Sequence, residues 1–319
     1  MATIDPCKLL CASASAYLIQ TSYPSGMYQL DLINPKGLPK PTPLPLITKD
    51  VANQYNKIGL VDDPYVIVSD EIEACFVGKT KSEIILSFRG TLPPAWTVDS
   101  ILDWIQNIFL AVPGQYDYFP GKVHSGFHFA LTTLICDIVK VLNILNSDQS
   151  LPLYITGHSK GGAMAPLAAV LLSSKKYNIK VTQTITFAGP KPGNATFRDY
   201  YNSTFTNDYN YENYLDIVPF LPPGKLTIEL LRSFVPESWM TLRQLLKDAE
   251  DWNYEPVGNA LYVTKDSTIE KPTIINDTER LAAIAEALLF NPGEIGKAHH
   301  VSCNYRYMKA ICKGTVCGC

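Results

Sequence analysis

Histidine is scarce in this chain, with five in 319 residues. Chemistry that needs an imidazole can draw only on His124, His128, His158, His299 and His300. Long apolar runs are missing too. No uninterrupted stretch of about 18 apolar residues occurs, so no transmembrane segment is expected. Charge of one sign is lacking, because 27 Lys and Arg face 30 Asp and Glu for a net −3. Without a basic stripe or a charge block, nucleic acid is not expected as a partner. Eight cysteines are too few for a disulfide scaffold. What is plentiful is apolar surface: 46% of residues are hydrophobic, ample for one large core.

The N-terminal apolar stretch Leu9–Ile19 includes Ala12-Ser-Ala-Ser-Ala16, which resembles a signal-peptide cleavage site. Asp5 and Pro6 precede it, and a basic n-region is lacking, so it reads as an amphipathic first helix over 5–19. Compartment stays open between cytoplasmic and secreted as a mature chain. Cys136 lies on an apolar helical pattern and is expected as a buried thiol. Cys303, Cys312, Cys317 and Cys319 crowd the C-terminus, where disulfides pinning the tail would need an oxidising compartment. A zinc site there is disfavoured, because C-x-C lacks the usual ligand spacing. Sequons begin at Asn194, Asn202 and Asn276 and matter only in a secreted chain.

Residues 31–46 hold five prolines and read as an extended surface connection. A short helix is expected near 47–58. Ala74–Val77 and Glu83–Phe88, with a polar turn between, predict a hairpin. Apolar residues from Phe127 to Leu145 recur at helical spacing. Strands are expected at 151–156, 180–187, up to 216, and at 258–264, with helices at 227–249 and 278–290. Alternation of strands and helices implies an α/β protein with a mainly parallel sheet and helices on both faces. No internal repeat or linker divides the chain, so 1–319 reads as one domain.

Chemistry enters at Gly157-His158-Ser159-Lys160-Gly161, a G-x-S-x-G string. The apolar run Leu151–Thr156 precedes it, and the helix-forming stretch Gly162–Leu172 follows. Strand, glycine turn and helix are the context of a nucleophile elbow. The flanking glycines allow a sharp turn without a Cβ clash. A serine nucleophile needs a histidine base and a carboxylate to orient it. In this fold class the chain order is Ser, acid, His, which leaves His299 or His300 as the base. Of Asp199, Asp208, Asp216, Asp248, Asp251, Asp266 and Asp277, Asp216 stands out. It follows an apolar run and precedes Ile217-Val-Pro-Phe-Leu-Pro-Pro223, at the carboxyl edge of a buried strand.

Six segments in series are similar to the class 3 lipase family of fungal-type triacylglycerol lipases. They are Ile85-Leu-Ser-Phe-Arg-Gly-Thr91, Val123-His-Ser-Gly-Phe127, Ile155-Thr-Gly-His-Ser-Lys-Gly-Gly162, Thr186-Phe-Ala-Gly-Pro-Lys-Pro-Gly-Asn194, Asp216-Ile-Val-Pro219, and His300 with Tyr305. The resemblance covers roughly residues 70–305. It implies the α/β-hydrolase fold and carboxylic ester hydrolysis of a lipid or ester substrate, with no metal or organic cofactor. Residue by residue, it implies Ser159 as nucleophile, Asp216 as acid and His300 as base, since a tyrosine often follows the family's histidine by five residues. It also implies an oxyanion hole from Thr91 and the N–H of Lys160. Many relatives carry an aliphatic residue at the Lys160 position. A solvated or ion-paired Lys160 side chain is the expectation, a contact with an anionic headgroup the alternative. The segment 92–122, with Trp96, Ile101, Leu102 and Trp104, corresponds to the lid and lid-flanking region; residues 92–102 are the lid candidates, which would touch a lipid interface transiently, and from Trp104 onward a core-packed helix is expected. Residues 221–252 read as a helical insertion. Phospholipase A1, short-chain or feruloyl-type esterase, and an inactive lipase-like binding or signalling protein are the competing readings.

Overall fold

The computed structural model describes residues 4–19, 25–29, 55, 57–62, 64–69, 73–91, 112–234, 237, 240–301 and 306–313. The proline-rich 31–46 stretch, residues 92–111 of the lid-flanking segment, Tyr305, and Cys303, Cys317 and Cys319 lie outside the described residues. Of the helix expected near 47–58, Tyr55, Lys57 and Ile58 are described and helical.

A nine-stranded sheet forms the centre. Its strands are β1 (Gly26–Gln29), β2 (Tyr65–Ser69), β3 (Glu73–Lys79), β4 (Ile84–Phe88), β7 (Leu153–His158), β8 (Gln183–Phe187), β10 (Tyr209–Asn213), β12 (Asn259–Val263) and β13 (Ile269–Glu270), side by side in that order. The five strands from β4 to β12 run parallel. The β2–β3–β4 meander and the β12–β13 hairpin are antiparallel and flank them. The hairpin expected between 74 and 88 is β3–β4. A smaller sheet orders β11 (Tyr254–Glu255), β9 (Gly193–Asn194), β6 (Lys122–His124) and β5 (Pro113–Gln115).

Burial explains why the central strands are apolar throughout. Every residue of β4, β7 and β8 is buried, as a strand covered on both faces requires. Alternate residues then serve opposite layers. Ile84, Leu86, Leu153 and Ile155 join the core under α2 (Ser125–Asn146) and α3 (Lys160–Ser173). Ile85, Tyr154 and Ile185 join the opposite core, with Leu9 and Leu10 of α1 (Pro6–Ala16) and Tyr307 and Met308 of α9 (Arg306–Cys312). Between these come α4 (Ala195–Thr204), α5 (Lys225–Phe234), α6 (Met240–Asp248), α7 (Ile274–Phe290) and α8 (Gly293–His299). The 221–252 stretch therefore does form a helical pair, α5 and α6.

By length and composition α2 is apolar enough to cross a bilayer. Here one face, from Phe127 through Leu134 and Ile138 to Leu142, is buried against α3 and the sheet, the setting of a core helix. The same register corrects the expectation for Cys136. It follows Ile135 by about 100° of helical rotation, which carries it off the buried face, and it is exposed. The buried free thiol among the described cysteines is Cys75.

α1 starts where Asp5 accepts a hydrogen bond from the Cys7 N–H at 2.9 Å, with Pro6 in the first turn. A disulfide joins Cys7 to Cys312, 305 residues apart, and ties α1 to α9. Cys11, whose sulfur lies within 4.8 Å of both, is disulfide-bonded as well. Zinc would need thiolates, and these sulfurs are already paired. Closing so long a loop restricts the unfolded chain severely. Replacing Cys7 and Cys312 together by serine is expected to lower stability by about 2–5 kcal/mol. A fall in the urea midpoint, with an unchanged far-UV spectrum in buffer, is the measurement.

Candidate active site

β7 ends on His158 and α3 begins on Lys160, so Ser159 alone makes the turn between them. Its backbone sits at φ 58°, ψ −131°. For a residue with a Cβ this is strained, at about 1–3 kcal/mol, and persists only when its surroundings impose it. They do: the Ser159 N–H donates to the Phe187 carbonyl at 3.0 Å, and the Ser159 carbonyl accepts from the Gly162 N–H at 2.8 Å. Glycine is required on both sides. A Cβ on Gly157 would lie 2.3 Å from the Gly161 carbonyl oxygen, and one on Gly161 would lie 2.3 Å from that of Phe88. Ser159 is 1% exposed, and among the described residues its Oγ has no hydrogen-bond partner. Catalytic hydrogen bonds are often long without substrate.

Asp216 lies three residues beyond β10 and is fully buried. Its Oδ1 accepts from the Val218 N–H at 3.0 Å, and its Oδ2 from the Tyr307 hydroxyl at 2.8 Å. The imidazole that meets it belongs to His299, with Nδ1 3.0 Å from both carboxylate oxygens. This corrects the expectation for His300. His299 is the last residue of α8, whereas His300 has left the helix at φ −72°, ψ 141°. His300 is half-buried, and burial followed by the nearby His299 holds its imidazole below the ordinary range. The tyrosine that supports the acid is Tyr307, whose hydroxyl also accepts from the Asn213 N–H at 2.8 Å.

His124 and His128 have local duties. His124 caps α2, its Nδ1 accepting from the Phe127 N–H at 3.2 Å, and His128 stacks on Tyr116. Thr91 is exposed, just past β4. β4 runs beside β7 with Phe88 opposite Gly157, so Thr91 follows the strand end that neighbours the elbow. Lys160 opens α3, where backbone N–H groups lack helical partners. Its ammonium is ion-paired with Glu73 at 2.8 Å, the expected alternative to a free headgroup ligand. Lys191, from the 186–194 segment, is buried with its Nζ 3.5 Å from the Thr227 hydroxyl, and burial lowers its pKa to about 8.

His299, Tyr307 and Asn213 were not selected from sequence. For His299, chain order left it as one of two candidates, and the resemblance favoured His300. Tyr307 and Asn213 follow from no spacing rule, since their role depends on how α9 lands on the end of β10.

A strained serine at the carboxyl end of a parallel sheet, with acid and histidine following from later segments, defines a protein of the α/β-hydrolase class. Residues 85–226 match the family model of lipase (class 3). Phospholipase A(1) DAD1 of Arabidopsis thaliana is 25% identical over 272 residues, which make up 77% of this chain and 57% of that protein. A lipase of Rhizomucor miehei is 31% identical over 151 residues, 46% of this chain and 39% of that protein. The chain thus spans 57% and 39% of the lengths of these two curated relatives. A solved triacylglycerol lipase whose catalytic centre is a serine protease triad shares the fold, with a TM-score of 0.53 at 22% identity over 83% of both chains.

Two stability predictions follow from these contacts. Tyr307→Phe leaves Asp216 short of a donor and the Asn213 N–H without its acceptor, at a cost of about 1.5–3 kcal/mol in urea unfolding. For Lys191, the folded pKa lies below that of the unfolded chain. The unfolded state therefore binds more protons between about pH 8 and 10, and stability rises with pH there. Lys191→Met should flatten that rise in melting temperature.

Proposed function

We propose that this chain is a serine carboxylic ester hydrolase of lipase type that acts on acylglycerols through an acyl-enzyme on Ser159. The observation that carries the reading is the buried His299–Asp216 pair alongside the strained Ser159 elbow. His299 carries Nδ1–H toward Asp216, which leaves Nε2 to accept the Ser159 proton. Ser159 Oγ attacks the ester carbonyl as that proton transfers. The tetrahedral oxyanion rests on the Lys160 N–H and on Thr91, and each such donor contributes about 3–4 kcal/mol to barrier lowering. His299 returns the proton to the leaving alcohol. It then activates a water that releases the acid and restores the serine. Asp216 orients the ring and stabilises the imidazolium. Within the lid and lid-flanking segment 92–122, residues 92–102 are the lid candidates, for transient contact with a lipid interface.

Phospholipase A1 activity is the second reading. It is favoured by the plant phospholipase A(1), whose likeness extends over 77% of this chain. Triglyceride emulsions, phospholipid vesicles and a p-nitrophenyl ester chain-length series separate the two. The acylglycerol reading expects the highest kcat/KM on the emulsion, with a rate jump above the solubility limit.

Ser159→Ala is expected to lose fluorophosphonate labelling and to lower kcat by about 10⁴–10⁶-fold. His299→Ala should fall to a similar level, whereas His300→Ala should stay within about tenfold of the unaltered protein. The reverse ranking of the two histidine variants would restore His300 as the base. Full labelling of the Ser159→Ala variant would end the nucleophile assignment.

A further inference from the structure

We propose that His158 and Tyr17 are positioning residues for His299, holding its backbone through a two-link hydrogen-bond chain from the N-terminal helix. The inference rests on the ester-hydrolase reading of this site and adds a second support to the histidine, distinct from Asp216.

Four observations carry it. His158 is 3% exposed and its Nε2 lies 2.7 Å from the His299 carbonyl oxygen. Its Nδ1 lies 2.7 Å from the hydroxyl of Tyr17, the residue that ends α1. A carbonyl can only accept, so Nε2 carries the proton, and Nδ1 of the neutral ring then accepts from the Tyr17 hydroxyl. Burial, followed by the charge of His299, pushes the His158 imidazole well below its ordinary range, which favours that neutral form. The preceding carbonyl, of Ala298, accepts from the Asn213 side-chain amide at 2.7 Å. The two peptide oxygens around His299 are therefore held from two different strands, Ala298's from β10 and His299's from the elbow strand β7.

The chain also reaches the other half of the machinery. A Cβ on Gly90 would lie 2.0 Å from the Tyr17 hydroxyl oxygen and 2.7 Å from the His158 carbonyl oxygen. Tyr17 is thus packed against the residue that precedes Thr91. Arg89 is held by the Ile19 carbonyl at the same end of α1. α1 braces the histidine and the oxyanion strand together. Among the described residues, the titratable or charged groups that bear on His158 and His299 include Tyr17, which Arg89 faces, together with Asp216, Tyr307 and His300.

Three variants of the full chain test this: Tyr17→Phe, His158→Leu and His158→Gln, the last keeping an N–H donor near the original Nε2. Two readouts are taken. One is kcat, KM and the pH–rate profile on a soluble p-nitrophenyl ester. The other is the low-field proton NMR signal of the His299 ring N–H facing Asp216, with its titration midpoint. His158→Leu is expected to lower kcat about 10- to 100-fold with KM within about threefold, because small misplacement of the base is costly. A looser contact with Asp216 stabilises the imidazolium less, so the acid limb and the NMR midpoint both move to lower pH. His158→Gln should recover kcat to within about fivefold, and Tyr17→Phe should lose about two- to tenfold in the same direction. Equal losses in His158→Leu and His158→Gln would make the effect packing alone and overturn the proposal. So would an unchanged profile and signal in Tyr17→Phe, which decides the matter if His158→Leu does not fold. If the unaltered protein turns over no ester, the proposed function fails, while the NMR signal still decides the positioning role.

Discussion

A carboxylate removed from water must be met by hydrogen-bond donors, and Asp216 is fully buried. That requirement organises much of the chain beyond residue 209. The donors come from the turn itself through the Val218 N–H, from α8 through His299, and from α9 through Tyr307. Tyr307 is held in turn by the Asn213 N–H, and Asn213 also receives Arg280 of α7 on its carbonyl oxygen at 3.3 Å. Arg280 is itself fully buried and paired with Glu212 at 2.8 Å. Removing one partner from such a buried set strands the others, which is why these elements must arrive together.

The two ends of the chain meet over the same face of the sheet. α1 contributes Leu9 and Leu10 and α9 contributes Tyr307 and Met308 to one core, and each such side chain buried contributes about 1.5–3 kcal/mol. The Cys7–Cys312 disulfide makes that meeting covalent. Each helix also sends one tyrosine hydroxyl into the site, Tyr17 to His158 and Tyr307 to Asp216. Packing, cross-link and catalytic geometry are therefore linked, since a shift of α1 against α9 would move both hydroxyls.

Much of this was legible in the amino-acid order because it is local or periodic. The elbow is legible because a serine at positive φ needs close glycine neighbours on both sides, and Gly157 and Gly161 supply them. The parallel strands are legible because burial on both faces demands unbroken apolar runs. Asp216 is legible because it ends such a run. The choice between His299 and His300 was not, because adjacent residues differ only in which way the helix end turns their rings. The exposed Cys136 misled because its neighbours Ile135 and Ile138 are buried and a periodic pattern averages over them. The disulfide partner of Cys312 lay at the far end of the chain, and spacing carries no information across 305 residues.

Three imidazoles crowd this site, and their environments divide the labour. The His158 ring centroid lies 4.5 Å from that of His299 with the planes tilted by 38°, and His300 adjoins His299 in sequence. Ester hydrolysis by a serine requires a transient positive charge on one imidazole. Like charges nearby would oppose that charge. Burial suppresses protonation of His158 and, more weakly, of His300. The carboxylate contact belongs to His299. On the proposed reading, a proton taken from Ser159 goes to His299, the ring that meets the Asp216 carboxylate, beside neighbours that burial biases against protonation.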